Sequence, residues 1–445
     1  MARKKISRRR FVGDSAAAGL AFTIVPRHVL GGRRFRAPSD TLNVACIGVG
    51  GMGRNDVRGM SDENIYVLCD VDSRSASDAF AAHPMAKQYD DFRIMLHEEA
   101  DSIDAVTVST PDHTHAAAAS MAMNLGKHVY CQKPLARTIY EVRQLSSLAT
   151  RTGVATQMGN QGHAGDGTRL IREWVEAGAI GTVREVHYWT NRPIWPQAIE
   201  RSLEMHHIPE HFAWDLWLGP AQFRPYHPAY APFRWRGWWD FGTGALGDIA
   251  CHAMDAAFWV LQLGYPTRIT AESTRLFPET APATSRIVYD FPSRGNRPEI
   301  TVVWRDGGLT PSLPPELVGD ATWSFTGIGG QLWIGDEGKL VAGVYGEDPR
   351  LLNATRDAEV RADVAQSYPR SEGVHAEWIA ACKGGEPAGS NFPGHAGPLS
   401  EMVLLGNLAV RAGHPVEINP TTGDVLTEGI PDEMVRPRYR EGWEL

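Results

Sequence analysis

A glycine-rich turn between a strand and a helix constrains the fold of this chain more than any other feature. The apolar run from Leu42 to Ile47 is typical of a buried parallel strand, and "GVGGMG" follows it. The glycines of this G-x-G-x-x-G spacing allow a tight turn, a close approach of the backbone to a diphosphate, and close helix–strand packing. A helix that begins near Met52 would present amide groups to the phosphates. These residues predict a dinucleotide site formed by Gly48, Gly50, Gly51, Met52 and Gly53.

An acidic residue ends the second predicted strand. The sequence "IYVLCD" occupies residues 65–70, and Asp70 follows Gly53 at the distance where a carboxylate accepts hydrogen bonds from the adenosine ribose. Because a carboxylate repels a 2′-phosphate, we expect NAD as the cofactor, while Arg54 and Arg74 keep NADP possible. A glycine-rich structural turn without nucleotide is the alternative.

The order of the predicted elements indicates an α/β chain with two domains. In the first half, apolar runs alternate with helical segments, which predicts an N-terminal Rossmann domain with a doubly wound parallel sheet over residues 38–158. A loop-rich stretch from Asn191 to Gly242 and one helix from Gly244 to Leu263 follow. The short alternating runs after them predict a C-terminal α+β domain with a mostly antiparallel open sheet over residues 159–445.

The first 37 residues have the pattern of an export signal and a linker. Ser7-Arg8-Arg9-x-Phe11-Val12 precedes an apolar run from Ala16 to Val25, as in twin-arginine signals. This run is too short to span a bilayer, so we expect no membrane span. The pattern predicts a periplasmic or secreted protein that is exported folded; a disordered basic tail is the alternative.

The net charge argues against a nucleic-acid partner, and the cysteine spacing argues against a metal site. The formal net charge is −8, which argues against a nucleic-acid partner, since phosphate binding favours a basic surface. The five cysteines are scattered and lack metal-ligand spacing. We therefore predict no metal, although His113 and His115 could ligate one together with His252.

Three polar residues have the spacing of a hydride-transfer site. Asp248 and His252 are four positions apart on a predicted helix and share one face. Lys133 leaves a strand at the carboxyl edge of the parallel sheet, where such folds bind ligands. We predict His252 as the base, Asp248 as the residue that orients it, and Lys133 as the group that polarises the reacting oxygen. A helix-surface pair is the alternative for Asp248 and His252.

Two longer blocks resemble a known family. "STPDHTHAAAASMAMNLGKHVYCQKPLA", residues 109–136, and "GALGDIACHAMD", residues 244–255, are similar to the Gfo/Idh/MocA oxidoreductases. Gln132 stands where that family usually has Glu, and Asp112 where it usually has Asn. The resemblance implies a homo-oligomer, a dimer or tetramer, paired through the second sheet. It also implies nicotinamide-site contacts from Thr110, Pro111, His115, Gln132 and Lys133.

Aromatic residues are concentrated just before the predicted catalytic helix. Half of the fourteen tryptophans lie between positions 189 and 239, and aromatic faces stack well on sugar rings. As a group they favour a carbohydrate or glycoside substrate, with core or subunit-contact packing as the alternative for any single one. Candidate substrate contacts are Tyr226, His227, Trp238 and Asp255.

The export signal and the nucleotide loop together favour a tightly bound NAD, because no NAD pool outside the cytosol would re-oxidise the cofactor. The catalysis must then restore the cofactor in place. We expect an oxidoreductase that transfers hydride between a secondary sugar hydroxyl and a tightly bound nicotinamide. A redox-neutral glycosidase that oxidises, eliminates, hydrates and reduces is the alternative. A secreted sugar-binding protein with a vestigial cofactor is the third reading.

Overall fold

Six parallel strands form the first sheet of the computed structural model, in the order β3-β2-β1-β4-β5-β6. The structure describes residues 40–320 and 327–445, and the compact unit from Asn43 to Leu445 contains both sheets. The strands are β1 (Asn43–Ile47), β2 (Asn64–Cys69), β3 (Lys87–Tyr89), β4 (Ala105–Val108), β5 (His128–Cys131) and β6 (Thr156–Met158). The predicted Rossmann sheet is confirmed. The export signal and linker lie outside the described residues.

Helices connect these strands on both faces of the sheet. They are α1 (Gly53–Gly59), α2 (Ser73–Ala82), α3 (Phe92–Glu99), α4 (Asp112–Asn124) and α5 (Ile139–Thr152). Local sequence fixes the start of α5, where the Thr138 hydroxyl and the Glu141 carboxylate cap each other's backbone amides. No helix in the described ranges is long and apolar enough to cross a membrane.

Eight strands form the second sheet, which is antiparallel except where β10 runs parallel to β7. The order is β13-β12-β11-β7-β10-β9-β8-β14. The strands are β7 (Val183–Thr190), β8 (Arg268–Ser273), β9 (Ser285–Phe291), β10 (Ile300–Arg305), β11 (Gly329–Gly335), β12 (Lys339–Gly343), β13 (Arg350–Leu351) and β14 (Val416–Glu417). The predicted mostly antiparallel sheet is confirmed.

The remaining helices pack between the two sheets and around their edges. They are α6 (Asp166–Glu176), α7 (Trp214–Leu218), α8 (Gly244–Ala253), α9 (Asp255–Leu261), α10 (Ala354–Asp363), α11 (Val374–Cys382) and α12 (Gly397–Ala412). The buried helix α12 contacts α5 of the first domain and α8 and β8 of the second. The C-terminal part of the chain thus returns to the Rossmann domain and holds the catalytic helix α8 against it.

The predicted single helix from Gly244 to Leu263 is wrong, because it divides at Met254 into α8 and α9. Asp255 begins α9, and its buried carboxylate accepts hydrogen bonds from Asn160, His163 and His395. These contacts place the Asp255 carboxylate in a buried hydrogen-bond network that does not include Asp248 or His252.

Candidate active site

The glycine loop has the close contacts that its sequence predicts. Gly48 has a φ of +77°, and a Cβ there would lie 2.7 Å from the Ser109 carbonyl oxygen. A Cβ on Gly53 would lie 1.9 Å from the carbonyl oxygen of Gly48. Only glycine fits at both positions, so the turn is built for a close approach of β1, α1 and the end of β4.

The Asp70 side chain binds the backbone of the glycine loop. Its carboxylate accepts hydrogen bonds from the Val49 amide at 2.8 Å, the Gly50 amide at 3.2 Å and the Asp72 amide at 2.9 Å. Burial raises the pKa of Asp70 above its ordinary value. Asp70, Asp72 and Asp90 all line the same cavity. This acidic end would repel a 2′-phosphate, and Asp72 and Asp90 are contributors that the sequence did not single out.

One cavity of about 380 Å³ joins the glycine loop to Lys133. Its walls include eight of the residues predicted to contact the dinucleotide: Gly48, Gly50, Gly51, Met52, Asp70, Thr110, Pro111 and Gln132, with Lys133 at the far end. A cavity lined by a glycine-rich turn, carboxylates and a lysine fits a dinucleotide. The residues present therefore suit the cofactor that the sequence predicts.

Residues 209–241, here called the aromatic cap, form the outer wall of this cavity. The cap pairs with the Rossmann domain through the Ala213 amide, which donates to Val71 O at 2.8 Å, and through a bridge between Phe212 and Asp72. Its residues facing the cavity are Phe212, Leu216, Trp217, Pro232, Phe233, Trp235 and Arg236. The cap thus covers the predicted cofactor cleft.

The cap also has its own hydrophobic core. The Trp214 and Trp217 rings stack with centroids 4.9 Å apart, and Tyr230 packs edge-on against Trp238 at 4.8 Å. All seven tryptophans between positions 189 and 239 are at most 8% exposed. Most of these tryptophans are therefore packing residues, the alternative given for any single one, while Trp217 and Trp235 also line the cavity.

Lys133 and Asp248 form a buried pair at the inner end of the cavity. The Lys133 ammonium donates to Asp248 Oδ1 at 2.9 Å and to the Asp248 carbonyl oxygen at 2.7 Å. Burial alone would raise the pKa of Asp248, but the charges of Lys133 and Arg236 hold it well below its ordinary value. The carboxylate is therefore ionised, and it fixes the position of the lysine.

His252 lies one turn further along α8, with its Nδ1 buried and without a hydrogen-bond partner among the described residues. Burial and the nearby Lys133 charge lower the pKa of His252 to about 3, so the imidazole is neutral at physiological pH. The His252 ring donates no hydrogen bond to the Asp248 carboxylate in the described part of the chain. The predicted orienting role of Asp248 is therefore wrong with respect to His252, because the lysine binds that carboxylate more closely. His252 instead packs against the Tyr345 ring at 4.8 Å.

The two departures from the family pattern occupy different environments. Gln132 donates to both oxygens of Asp56, at 3.1 and 3.0 Å. Asp112 accepts a hydrogen bond from the Thr243 hydroxyl, while its Oδ1 is buried without a partner in the described ranges. Burial raises the pKa of Asp112. Asp112 is also among the residues that line the cavity.

The histidines of the family-like turn are already engaged by backbone carbonyls. The two ring nitrogens of His115 lie 2.9 Å from Pro134 O and from Thr110 O, so His115 joins the turn to the Lys133–Pro134 element. His113 contacts Trp217 O at 2.9 Å and Phe241 O at 3.3 Å. With both ring nitrogens so placed, neither histidine is available to ligate a metal with His252.

The predicted substrate contacts lie away from the cavity wall. Tyr226 packs edge-on against Trp214 at 5.3 Å, and His227 contacts the His206 ring at 4.5 Å. Trp238 is 1% exposed, and its indole nitrogen donates to Ala229 O. Asp255 belongs to the buried network of Asn160, His163 and His395. None of the four lines the cavity, because cap packing and the start of α9 fix them elsewhere.

Sequence reasoning missed three residues beside Asp248. Arg236 Nη1 lies 3.4 Å from Asp248 Oδ1, and Arg192 Nε lies 4.0 Å from Oδ2. Tyr345, from the loop after β12, packs on His252. Arg192 and Tyr345 come from loops and Arg236 from the short 3-10 helix Arg234–Gly237, and no spacing in the sequence links them to α8.

The fold and the site define a dinucleotide-binding enzyme class, and the comparisons agree. A model of an oxidoreductase family with an NAD-binding Rossmann fold matches residues 42–160. The C-terminal α/β domain of the same family matches residues 171–295. Together the two matches cover more than half of the sequence. The chain belongs to the Gfo/Idh/MocA oxidoreductase family.

Two curated relatives are sugar dehydrogenases by name. Levoglucosan dehydrogenase of Pseudarthrobacter phenanthrenivorans is 23% identical over 49% of this chain and 51% of the relative. D-apiose dehydrogenase of Paraburkholderia graminis is 26% identical over 52% of each. The chain thus spans about half the length of these relatives. The solved WlbA dehydrogenase from Bordetella pertussis, in complex with NADH and UDP-GlcNAcA, has a TM-score of 0.60 at 17% identity. The match covers 85% of this chain and 99% of the WlbA chain, and this similarity shows the fold alone.

Proposed function

We propose that this protein is an NAD-dependent oxidoreductase that acts on a secondary hydroxyl of a carbohydrate or glycoside. The observation that carries this proposal is the arrangement at the inner end of the cavity. There Asp248 fixes the lysine, and one turn further along α8 lies a neutral histidine whose buried Nδ1 has no partner among the described residues. The names of the relatives support a sugar as the substrate.

Three side chains divide the chemistry of hydride transfer. A bound nicotinamide would supply the hydride acceptor. The Lys133 ammonium donates to the reacting oxygen and stabilises the negative charge that develops on it. His252 Nδ1 is unpartnered and neutral, and accepts the hydroxyl proton. Asp248 acts through Lys133, which it holds by two hydrogen bonds.

We infer that the dinucleotide is held tightly and restored within each catalytic cycle. The aromatic cap covers the cavity from Phe212 to Arg236 and is bonded to the Rossmann domain at several backbone positions. We expect this wall to slow the release of a bound dinucleotide. Retention of this kind is consistent with a ping-pong reaction, in which one sugar is oxidised and another is reduced.

A redox-neutral glycosidase is the second candidate, and one contact favours it. Elimination next to a ketone needs a base in addition to His252. Tyr226 and His227 are too engaged in the cap to serve, whereas Tyr345 lies directly against His252. Release of phenolate from p-nitrophenyl glycosides without an added acceptor would favour this candidate, and a keto-sugar without release would favour the oxidoreductase.

Export and assembly complete the proposal. The arginine pair near the N-terminus supports translocation of the folded protein by the twin-arginine route to the periplasm or the medium. The second sheet supports a homodimer or tetramer paired through its open face. Fractionation of cells that produce the full chain tests the first statement, and light scattering of the purified protein tests the second.

The decisive experiment identifies what the purified protein carries and what it oxidises. Mass spectrometry of small molecules released on denaturation should find NAD or NADH in near-stoichiometric amount. Lys133→Met should lower turnover by at least about a thousandfold, because the developing charge loses its donor, while the dinucleotide stays bound. An empty protein that does not respond to NAD, or near-full activity of Lys133→Met, would refute the proposal.

A further inference from the structure

The charges around Asp248 do not balance. Its single carboxylate faces Lys133 at 2.9 Å, Arg236 at 3.4 Å and Arg192 at 4.0 Å. Among the described residues, no other acidic side chain lies within 4 Å of either guanidinium. Arg192 otherwise contacts only the neutral Asn191 side chain, and Arg236 lies over the Trp235 ring at 4.3 Å. With Asp248 paired to Lys133, two cationic groups remain in surplus.

The other titratable groups nearby do not remove this surplus. His252 is neutral, and Asp112 offers at most one negative charge to Arg236. The Glu347 carboxylate accepts a hydrogen bond from the Tyr345 amide and forms no ion pair with either arginine. Both arginine side chains are partly enclosed, with 17% of Arg192 and 22% of Arg236 exposed, so water screens them incompletely. Uncompensated guanidinium groups in such surroundings are a binding site for an anion.

The two arginines approach the carboxylate from different sides. Arg236 lines the predicted dinucleotide cavity and faces Asp248 Oδ1, which also binds Lys133. Arg192 is absent from that cavity wall and faces Oδ2. Tyr345 lies beside this second side, since its ring contacts His252 and its phenol interacts with the charges of Asp248 and Arg192. Asp112 offers a negative charge to Arg236, whereas Arg192 has no second acidic side chain within 4 Å among the described residues.

We propose that the substrate is an anionic saccharide, whose negatively charged group binds Arg192 while a hydroxyl of the same sugar lies between Lys133 and His252. This inference rests on the proposed function and narrows its substrate class. The planar guanidinium can donate two hydrogen bonds to a carboxylate, as in a uronic acid or its glycoside, or to a sugar phosphate. Arg192 is then a specificity-determining residue.

The test compares matched charged and neutral sugars on the full-length, NAD-loaded protein. The pairs are methyl β-D-glucuronide against methyl β-D-glucoside, and glucose 6-phosphate against glucose. At least one charged member should show a kcat/KM about 10- to 100-fold above its neutral partner, with the difference mainly in KM. The charged member that is preferred identifies carboxylate or phosphate as the anion.

Two substitutions locate the preference. Arg192→Gln should remove most of the charged-to-neutral ratio, and Arg192→Lys should keep part of it. Arg184→Gln is the matched control, because Arg184 is an exposed residue on β7, the strand that leads to Arg192. This control should retain the wild-type ratio. Equal kcat/KM for charged and neutral sugars, or an unchanged ratio in Arg192→Gln, would overturn the inference.

Binding separates failure of this inference from failure of the proposed function. The melting temperature of the NAD-loaded protein should rise with the preferred charged sugar and not with its neutral partner. If no sugar is oxidised but this charge-dependent shift persists and disappears in Arg192→Gln, the anion site stands without the proposed reaction. If neutral sugars are oxidised as readily as charged ones, the result supports the proposed function and refutes the anion site.

Discussion

At the scale of single residues, Asp70 illustrates how one carboxylate serves both the fold and the ligand. It accepts three backbone hydrogen bonds that shape the glycine loop, and it lines the cavity at the acidic end. Its negative charge lies where a 2′-phosphate of NADP would have to be accommodated. We therefore expect the same side chain to stabilise the turn and to favour NAD over NADP.

Replacement of Asp70 should relax this selection. We expect wild-type protein to bind NAD at least about tenfold more tightly than NADP, and Asp70→Ser to reduce that ratio severalfold, since like-charge repulsion is removed. Asp101→Ser, at an exposed acidic position of the same domain, should leave the ratio unchanged. Titration calorimetry on protein stripped of its dinucleotide measures both affinities. An unchanged ratio in Asp70→Ser would place the selectivity in Asp72 or Asp90.

At the scale of elements, the aromatic cap is a segment with a small hydrophobic core of its own, separate from the cores of the two sheets. Its side chains form a separate buried core, and its backbone pairs with the segment after β2. Phe233 extends from this core to the cavity wall while remaining 52% exposed. It can therefore be truncated without opening the core, which makes it suitable for testing retention of the dinucleotide.

We expect Phe233→Ala to lose dinucleotide faster than the wild type, because part of the wall over the cavity is removed. Repeated desalting followed by quantification of bound nucleotide should show at least a severalfold faster loss. Phe223→Ala is the matched control, since Phe223 belongs to the same cap, is 71% exposed and does not line the cavity. Equal retention in both variants would show that the cap does not retain the cofactor.

At the scale of the whole molecule, buried histidines should make the fold sensitive to acid. Burial lowers the pKa of His113 to about 4 and that of His252 to about 3, from ordinary values near 6.5. The unfolded chain therefore binds protons between pH 6.5 and pH 4 that the folded protein does not bind. Stability falls as the pH decreases through this window.

We expect the free energy of unfolding to decrease by about 2 kcal/mol for each such histidine between pH 7 and pH 5. His113→Asn should have a shallower dependence on pH over this range, although its stability at pH 7 will be lower because two carbonyl contacts change. Urea unfolding at a series of pH values measures both effects. The same slope in His113→Asn and the wild type would contradict the assignment of this dependence to His113.

The sequence by itself determined the elements whose signals are local. The spacing of Gly48 and Gly53 and the carboxylate at Asp70 predict the turn and its cofactor, since backbone sterics and charge act over a few residues. Strand and helix patterns similarly predict both sheets. The four-residue spacing of Asp248 and His252 placed them correctly on one helix, α8.

Only the tertiary structure decided which partners those side chains have. Asp248 could bind His252 or Lys133, and the packing of α8 against the end of β5 favours the lysine. Arg192, Arg236 and Tyr345 reach the site from segments far apart in the sequence. Tyr226 and Trp238 pack into the cap instead. Contacts of this kind depend on long-range packing and burial, which no local spacing encodes.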